Sequence, residues 1–250
     1  GGQPPCASLG PMLRTAVPLW PLPFAIALVL VVATHAAWAL SVQAGHVPWC
    51  IPYLEGCTSI SRAARHGLGN HLFRLMVLPC TLLVFLHWWL AGRWLAMRGG
   101  RGRLMLVLGA IGALALAVYA TFLGTDGEAY RFLRRYGVVA YFGCSYLAQL
   151  LFLRRAGLTG PFDRIARAAM LAVCVAMLAL GLVHVVVDAL IGGSALQDRL
   201  ENVFEWHLGV LLVCWFLVHA RLWWQEGYAL DTLRLRPLRD TSGRGALRRE

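Results

Sequence analysis

The chain contains no lysine; all 23 of its basic residues are arginine. Charge of either sign is scarce at 14% of 250 residues, well below the roughly 25% of an ordinary soluble domain. With 59% of the residues apolar, water is not the main solvent of this protein. The formal charge of +11 does not make it a nucleic-acid binder, because the arginines lie between apolar runs and in a tail, where the positive-inside rule accounts for them. C-x-x-C pairs are missing among the seven cysteines, which argues against a zinc cluster. Cys50 and Cys57 alone share one short polar loop, and they either bridge or remain two free thiols. The sequence lacks an internal repeat of the kind that marks inverted-repeat transporters.

Long apolar runs are abundant. A hydrocarbon layer about 30 Å thick needs about 20 helical residues. Six stretches qualify: Pro23–Val42, Leu72–Leu90, Leu104–Leu123, Tyr136–Leu153, Ala168–Ile191 and Val203–Trp223. The expected fold is an all-α, polytopic membrane protein: residues 1–224 form a six-helix domain, and 225–250 a basic cytoplasmic tail. Arginines at 93, 98, 101 and 103, at 154, 155, 164 and 167, and in the tail at 234, 236, 239, 244, 248 and 249 place both termini in the cytoplasm. Arg131, Arg134 and Arg135 crowd the outer start of the fourth span against this trend, a local cluster suited to lipid phosphates.

Ionisable groups near a bilayer are costly unless solvated or paired, so they mark candidate chemistry. Glu55, Ser59, Ser61, Arg62, Arg65, His66 and His71 fall in the first outer loop, Asp126 and Glu128 in the third connection, and Asp198, Glu201, Glu205 and His207 near the last span. Glu205 is expected at the head of the last helix, where the helix dipole favours an anion. Two histidines on each of the second and sixth spans, His71 with His87 and His207 with His219, also allow a bis-histidine haem arrangement, although their separations along the two helices are unequal.

The segment Thr58-Ser59-Ile60-Ser61-Arg62-Ala63-Ala64-Arg65, followed by Phe73-Arg74, resembles the P-S-x-S-x-A-I pattern and downstream W-R of the GPI-lipid remodelling factors. These belong to the Frag/DRAM/Sfk superfamily of six-helix membrane proteins. Thr58 stands where that pattern has proline. Pro52-Tyr53-Leu54, Thr125-Asp126-Gly127-Glu128, and Phe204-Glu205-Trp206 with His219 further on are similar to other motifs of the superfamily, in the same order relative to the spans.

The resemblance implies a protein that works on, or is regulated by, membrane lipid. It points to an outer-leaflet site with Glu128 or Glu205 and a histidine such as His66 as acid and base. Ser59 and Ser61 would be nucleophilic or substrate-binding hydroxyls, and Arg62 and Arg74 phosphate ligands. Asp126, His207 and His219 complete the expected substrate contacts. The expected partners are membrane lipids, with room for a further membrane protein and no nucleic acid, and no cofactor is expected, although the histidines leave a haem or a metal open. A lipid-binding scaffold or regulator without turnover and a haem electron carrier are the other readings. The arginine-only, Ala- and Leu-rich composition indicates a bacterial inner membrane.

Overall fold

A computed structural model describes residues 16–157, 161–231 and 234–237. In chain order the elements are β1 (Val17–Pro18), α1 (Pro21–Gln43), α2 (Pro52–Glu55), α3 (Ile60–Ala63), α4 (Gly67–Met97), α5 (Arg103–Phe122), α6 (Glu128–Arg155), α7 (Pro161–Ile191), α8 (Ala195–Glu226), β2 (Tyr228–Asp231) and β3 (Arg234–Pro237). The six long helices are each long and apolar enough to cross a membrane, as expected from the hydropathy. A helix satisfies its own backbone groups, so an apolar stretch in lipid has no cheaper conformation.

Five of the helices run beyond the apolar stretches that reveal them. α4 has 31 residues and α8 has 32, where the apolar runs cover about 20. Hydropathy reports the solvent around a helix, and a polar helical turn continues into headgroups and water. The start of α8 has its own local cause. Ser194 caps it, accepting from the Gln197 N–H at 3.1 Å, while the Gln197 side chain reaches back to the Gly193 N–H at 2.5 Å.

Neighbouring helices pack in chain order, α1 on α4, α4 on α5, α5 on α6, and α7 on α8, while α8 returns to α1. α6 and α7 touch only lightly. Lipid offers little hydrophobic incentive for helices to associate, so close approach through small residues takes over. Gly109 illustrates this, because a Cβ there would stand 2.2 Å from Cγ of Trp88.

The two ends of the bundle differ. At one end β1 pairs antiparallel with β2, and β2 with β3, which brings both ends of the described chain to the same side. The tail therefore does not separate from the bundle at residue 225: α8 continues to Glu226, and Gly227, at φ 63°, turns the chain into the hairpin. Tyr228 is buried there against Trp223 and donates to the Leu90 carbonyl at 3.1 Å. Arg98 forms ion pairs with Glu226 and, at 3.9 Å, with Asp163, and its guanidinium lies over Trp94. Arg239, Arg244, Arg248 and Arg249 of the expected tail lie outside the described residues. The opposite end carries the α1–α4 connection, closed by a Cys50–Cys57 disulfide, so of the two alternatives for these thiols the bridge is the one present.

Candidate functional site at the disulfide end

The connection between α1 and α4 lies on the bundle because four side chains hold its carbonyls. Ser41 of α1 donates to Ala63 O at 2.5 Å, and Asn202 of α8 to Gly56 O at 2.8 Å. Trp206 Nε1 donates to Thr58 O at 2.9 Å. Asn70 Nδ2 serves both Ala64 O and Leu123 O at 2.9 Å, joining this connection to the end of α5. All four side chains belong to buried residues, where an unmade hydrogen bond is expensive, so together they fix the register of the connection.

That register puts Ser59 and Ser61 beside Glu205. The Ser61 N–H donates to Glu205 Oε1 at 2.9 Å, and the two serine hydroxyls lie 3.0 Å apart. Ser59 Oγ caps α3 by accepting from the Arg62 N–H at 3.1 Å, and both hydroxyls are also within hydrogen-bonding reach of the carboxylate. Glu205 is half-buried and sits about three turns inside α8, not at its head. The expectation of a helix-end residue is corrected accordingly, since a helix dipole acts only over the first turn. Hydrogen bonds from the connection hold this carboxylate instead.

Beneath the cluster lies an apolar cavity of about 300 Å³ between α1, α4, α5, α6 and α8, with Glu205 and Trp206 in its wall. Leu30, Phe73, Leu116, Phe142 and Val213 supply much of the lining. On the α1 side His35 and Tyr53 form a fixed pair. His35 Nδ1 faces the Val31 carbonyl at 2.8 Å, which can only accept, so Nδ1 carries the proton and Nε2 accepts from the Tyr53 hydroxyl at 2.9 Å. Burial raises the Tyr53 pKa above its ordinary value, which keeps the phenol a donor.

A second, more polar recess of about 690 Å³ adjoins the first. Arg65, Arg131, Arg134 and Arg135 line it, together with Glu201 and Glu205. Burial lowers the Arg65 pKa from its ordinary value, and the nearby Arg134 and Arg62 cations lower it further.

The other expected site residues are dispersed. Glu128 is 95% exposed and pairs with Arg131 at 3.8 Å, Asp126 is exposed in the connection before α6, and neither lines the cavity. His66 is exposed and packs against His46 with ring centroids 5.4 Å apart, and it makes no hydrogen bond to Ser59 or Ser61 among the described residues. Arg62 is exposed, and Arg74 has no ion pair among the described residues. His207 faces Tyr53 at 5.9 Å and its Nδ1 donates to Val203 O at 2.9 Å.

His219 lies some 20 Å further along α8 from Glu205, at about 1.5 Å per residue. It is fully buried against His87, edge to face with centroids 4.6 Å apart, inside a cage of Phe152, Trp215, Phe216 and Trp223. Direct ring contact leaves no width for a porphyrin between the two histidines. His71 is exposed and makes no ring contact with His207 among the described residues. All four ring nitrogens of His87 and His219 are buried without a hydrogen-bond partner among the described residues. Among the described residues there is also no group of three or more His, Cys, Asp or Glu side chains placed to hold a metal ion.

Sequence reasoning passed over Tyr119, which lines both the cavity and the polar recess, and gave no role to the His35–Tyr53 pair. Tyr53 was visible only as part of a Pro-Tyr-Leu motif, and an aromatic or histidine inside a span carries no one-dimensional mark of the face it occupies. No protein-family model, curated protein or solved structure matches this chain.

Proposed function

We propose that this membrane protein handles lipid, receiving an acyl chain in the apolar cavity and holding the polar part of the molecule at Ser59, Ser61 and Glu205. The observation that carries this reading is the cavity itself, largely apolar, with Glu205 in its wall and the Ser59 and Ser61 hydroxyls gathered beside that carboxylate. A volume of about 300 Å³ is at the small end for ligand pockets, and it suits one flexible chain better than a folded headgroup. The carboxylate and hydroxyls would orient an ester or hydroxyl group, since Glu205 accepts hydrogen bonds while each serine both donates and accepts. The carboxylate–hydroxyl contact also favours a second reading, in which Glu205 acts as base toward a serine during lipid remodelling.

The arginine distribution and the disulfide both support placing the disulfide end outside and both termini in the cytoplasm. We expect a cysteine at Asp126 to react with a membrane-impermeant maleimide in intact cells and one at Arg101 to react only after lysis, in a background lacking the four free cysteines of the described residues. The reverse pattern would place the cavity mouth in the cytoplasm and refute an outer-leaflet site.

Filling the cavity tests the lipid reading directly. Val213→Trp puts an indole into existing space, so the helices should remain folded by circular dichroism. Native mass spectrometry of detergent-purified protein should show bound dioleoylglycerol falling at least tenfold. Undiminished binding by the folded variant would show that lipid does not occupy this cavity.

A further inference from the structure

The polar recess and the apolar cavity share three wall residues, Tyr119, Val138 and Glu205, so they adjoin as a wet half and a dry half. In the wet half four arginines face two carboxylates. Glu205 is engaged by the Ser61 N–H, and Glu201 accepts from Gln197 at 2.7 Å. Among the described residues, Arg65, Arg134 and Arg135 have no carboxylate within ion-pair distance, and Arg131 has only the loose, exposed contact with Glu128.

Arg65 is the most telling of the four. Its Nε is buried and has no hydrogen-bond partner among the described residues, although a guanidinium normally finds acceptors when covered. Arg134 uses one nitrogen on the Thr125 carbonyl at 3.3 Å, which fixes its position and leaves its remaining donors free. Arg65 is near enough to Arg134 for the two cations to repel, a cost that an anion between them would relieve. Planar guanidinium forks suit the tetrahedral oxygens of a phosphate.

We infer that the recess is a phosphate site and that the ligand of the combined site is an anionic phospholipid, its phosphate held by Arg65 and Arg134 with Arg131 and Arg135 at the rim, and its acyl chain in the cavity. The inference rests on the lipid reading above and adds the headgroup chemistry. Entry is from the side. Phe132 and Tyr136 of α6 are exposed at the recess and give a lipid an apolar surface to approach there.

The test compares two probes with the same acyl chains, dioleoyl phosphatidic acid and dioleoylglycerol, by native mass spectrometry of the full-length protein in detergent, with inorganic phosphate as a third arm. The unaltered protein should bind phosphatidic acid at least tenfold more tightly than dioleoylglycerol. Arg65→Gln with Arg134→Gln should abolish that preference while leaving dioleoylglycerol binding unchanged, and Val213→Trp should reduce both lipids. If the double variant does not fold, Arg131→Gln with Arg135→Gln, both at exposed positions, should narrow the preference at least threefold.

Equal binding of the two lipids by the unaltered protein, or a preference that survives in the variants, would overturn the phosphate site and leave the acyl cavity standing. Inorganic phosphate that binds as tightly as phosphatidic acid would make this a free-anion site and overturn the headgroup assignment. Binding of neither lipid would remove the cavity reading and this inference together.

Discussion

Gly56→Ala should destabilise the disulfide end by roughly 3 kcal/mol, far more than Gly45→Ala in the same connection. Both glycines have positive φ, 60° and 74°, where a Cβ costs about 1 kcal/mol. Their surroundings separate them. A Cβ at Gly45 meets nothing within 4 Å, whereas one at Gly56 would stand 2.0 Å from the Arg199 carbonyl oxygen of α8. That oxygen belongs to the backbone of a packed helix, so relief requires the connection to lift away, and overpacking of this kind costs about 1–3 kcal/mol beyond the φ term. Lifting would also stretch the Asn202–Gly56 hydrogen bond and disturb the neighbouring Trp206–Thr58 bond, the same ties that bring Ser59 and Ser61 to Glu205. Hydrogen exchange of residues 56–64 should therefore accelerate in Gly56→Ala and change little in Gly45→Ala. Equal behaviour of the two variants would mean that the connection is not seated on α8 as described.

The fold was largely legible because its determinant is one-dimensional. Twenty apolar residues in a row have few stable conformations in lipid, and the six runs mark the six helices. Their ends were less legible. The start of α8 depends on a Ser194–Gln197 cap that hydropathy does not register, although Ser-Ala-Leu-Gln is readable as a capping box once it is sought. That one boundary changes how Glu205 is understood, from the head of a helix to a carboxylate three turns inside it.

The candidate site was legible in part. Ser59, Ser61 and Glu205 stand out as polar residues beside apolar spans, and the structure joins them. Glu128 and His66 had the same sequence credentials, yet they point to solvent, since a residue in a connection has no periodic pattern to give its direction. The arginines show the limit most clearly. Arg62 and Arg65 are three residues apart, but the chain turns after α3, so Arg62 is exposed while Arg65 enters the recess. Arg134 appeared in the sequence as an exception to the charge rule, and its proximity to Arg65 depends on contacts between α6 and the α1–α4 connection.

Glu205→Gln should lower lipid binding or turnover at least tenfold without unfolding the bundle. The amide has the shape of the carboxylate and keeps one oxygen to accept from the Ser61 N–H, and the Ser59 and Ser61 hydroxyls can rotate to accept from its NH2 group. The change in stability should then be about 1 kcal/mol or less, the net worth of one neutral hydrogen bond. A charge-assisted hydrogen bond from lipid to the carboxylate is about twice as strong as a neutral one, and the amide cannot take up a proton during a reaction. Glu128→Gln is the matched control, because that carboxylate is exposed and away from the cavity, and it should leave both properties unchanged. The measurements are monodisperse elution and thermal unfolding for the fold, and native mass spectrometry with dioleoylglycerol, whose free hydroxyl can donate to the carboxylate, or release of fatty acid from it for function. A Glu205→Gln protein that unfolds would make Glu205 a structural anchor of the connection. One that folds and handles lipid normally would show that the Ser59–Ser61–Glu205 cluster is not where lipid is engaged.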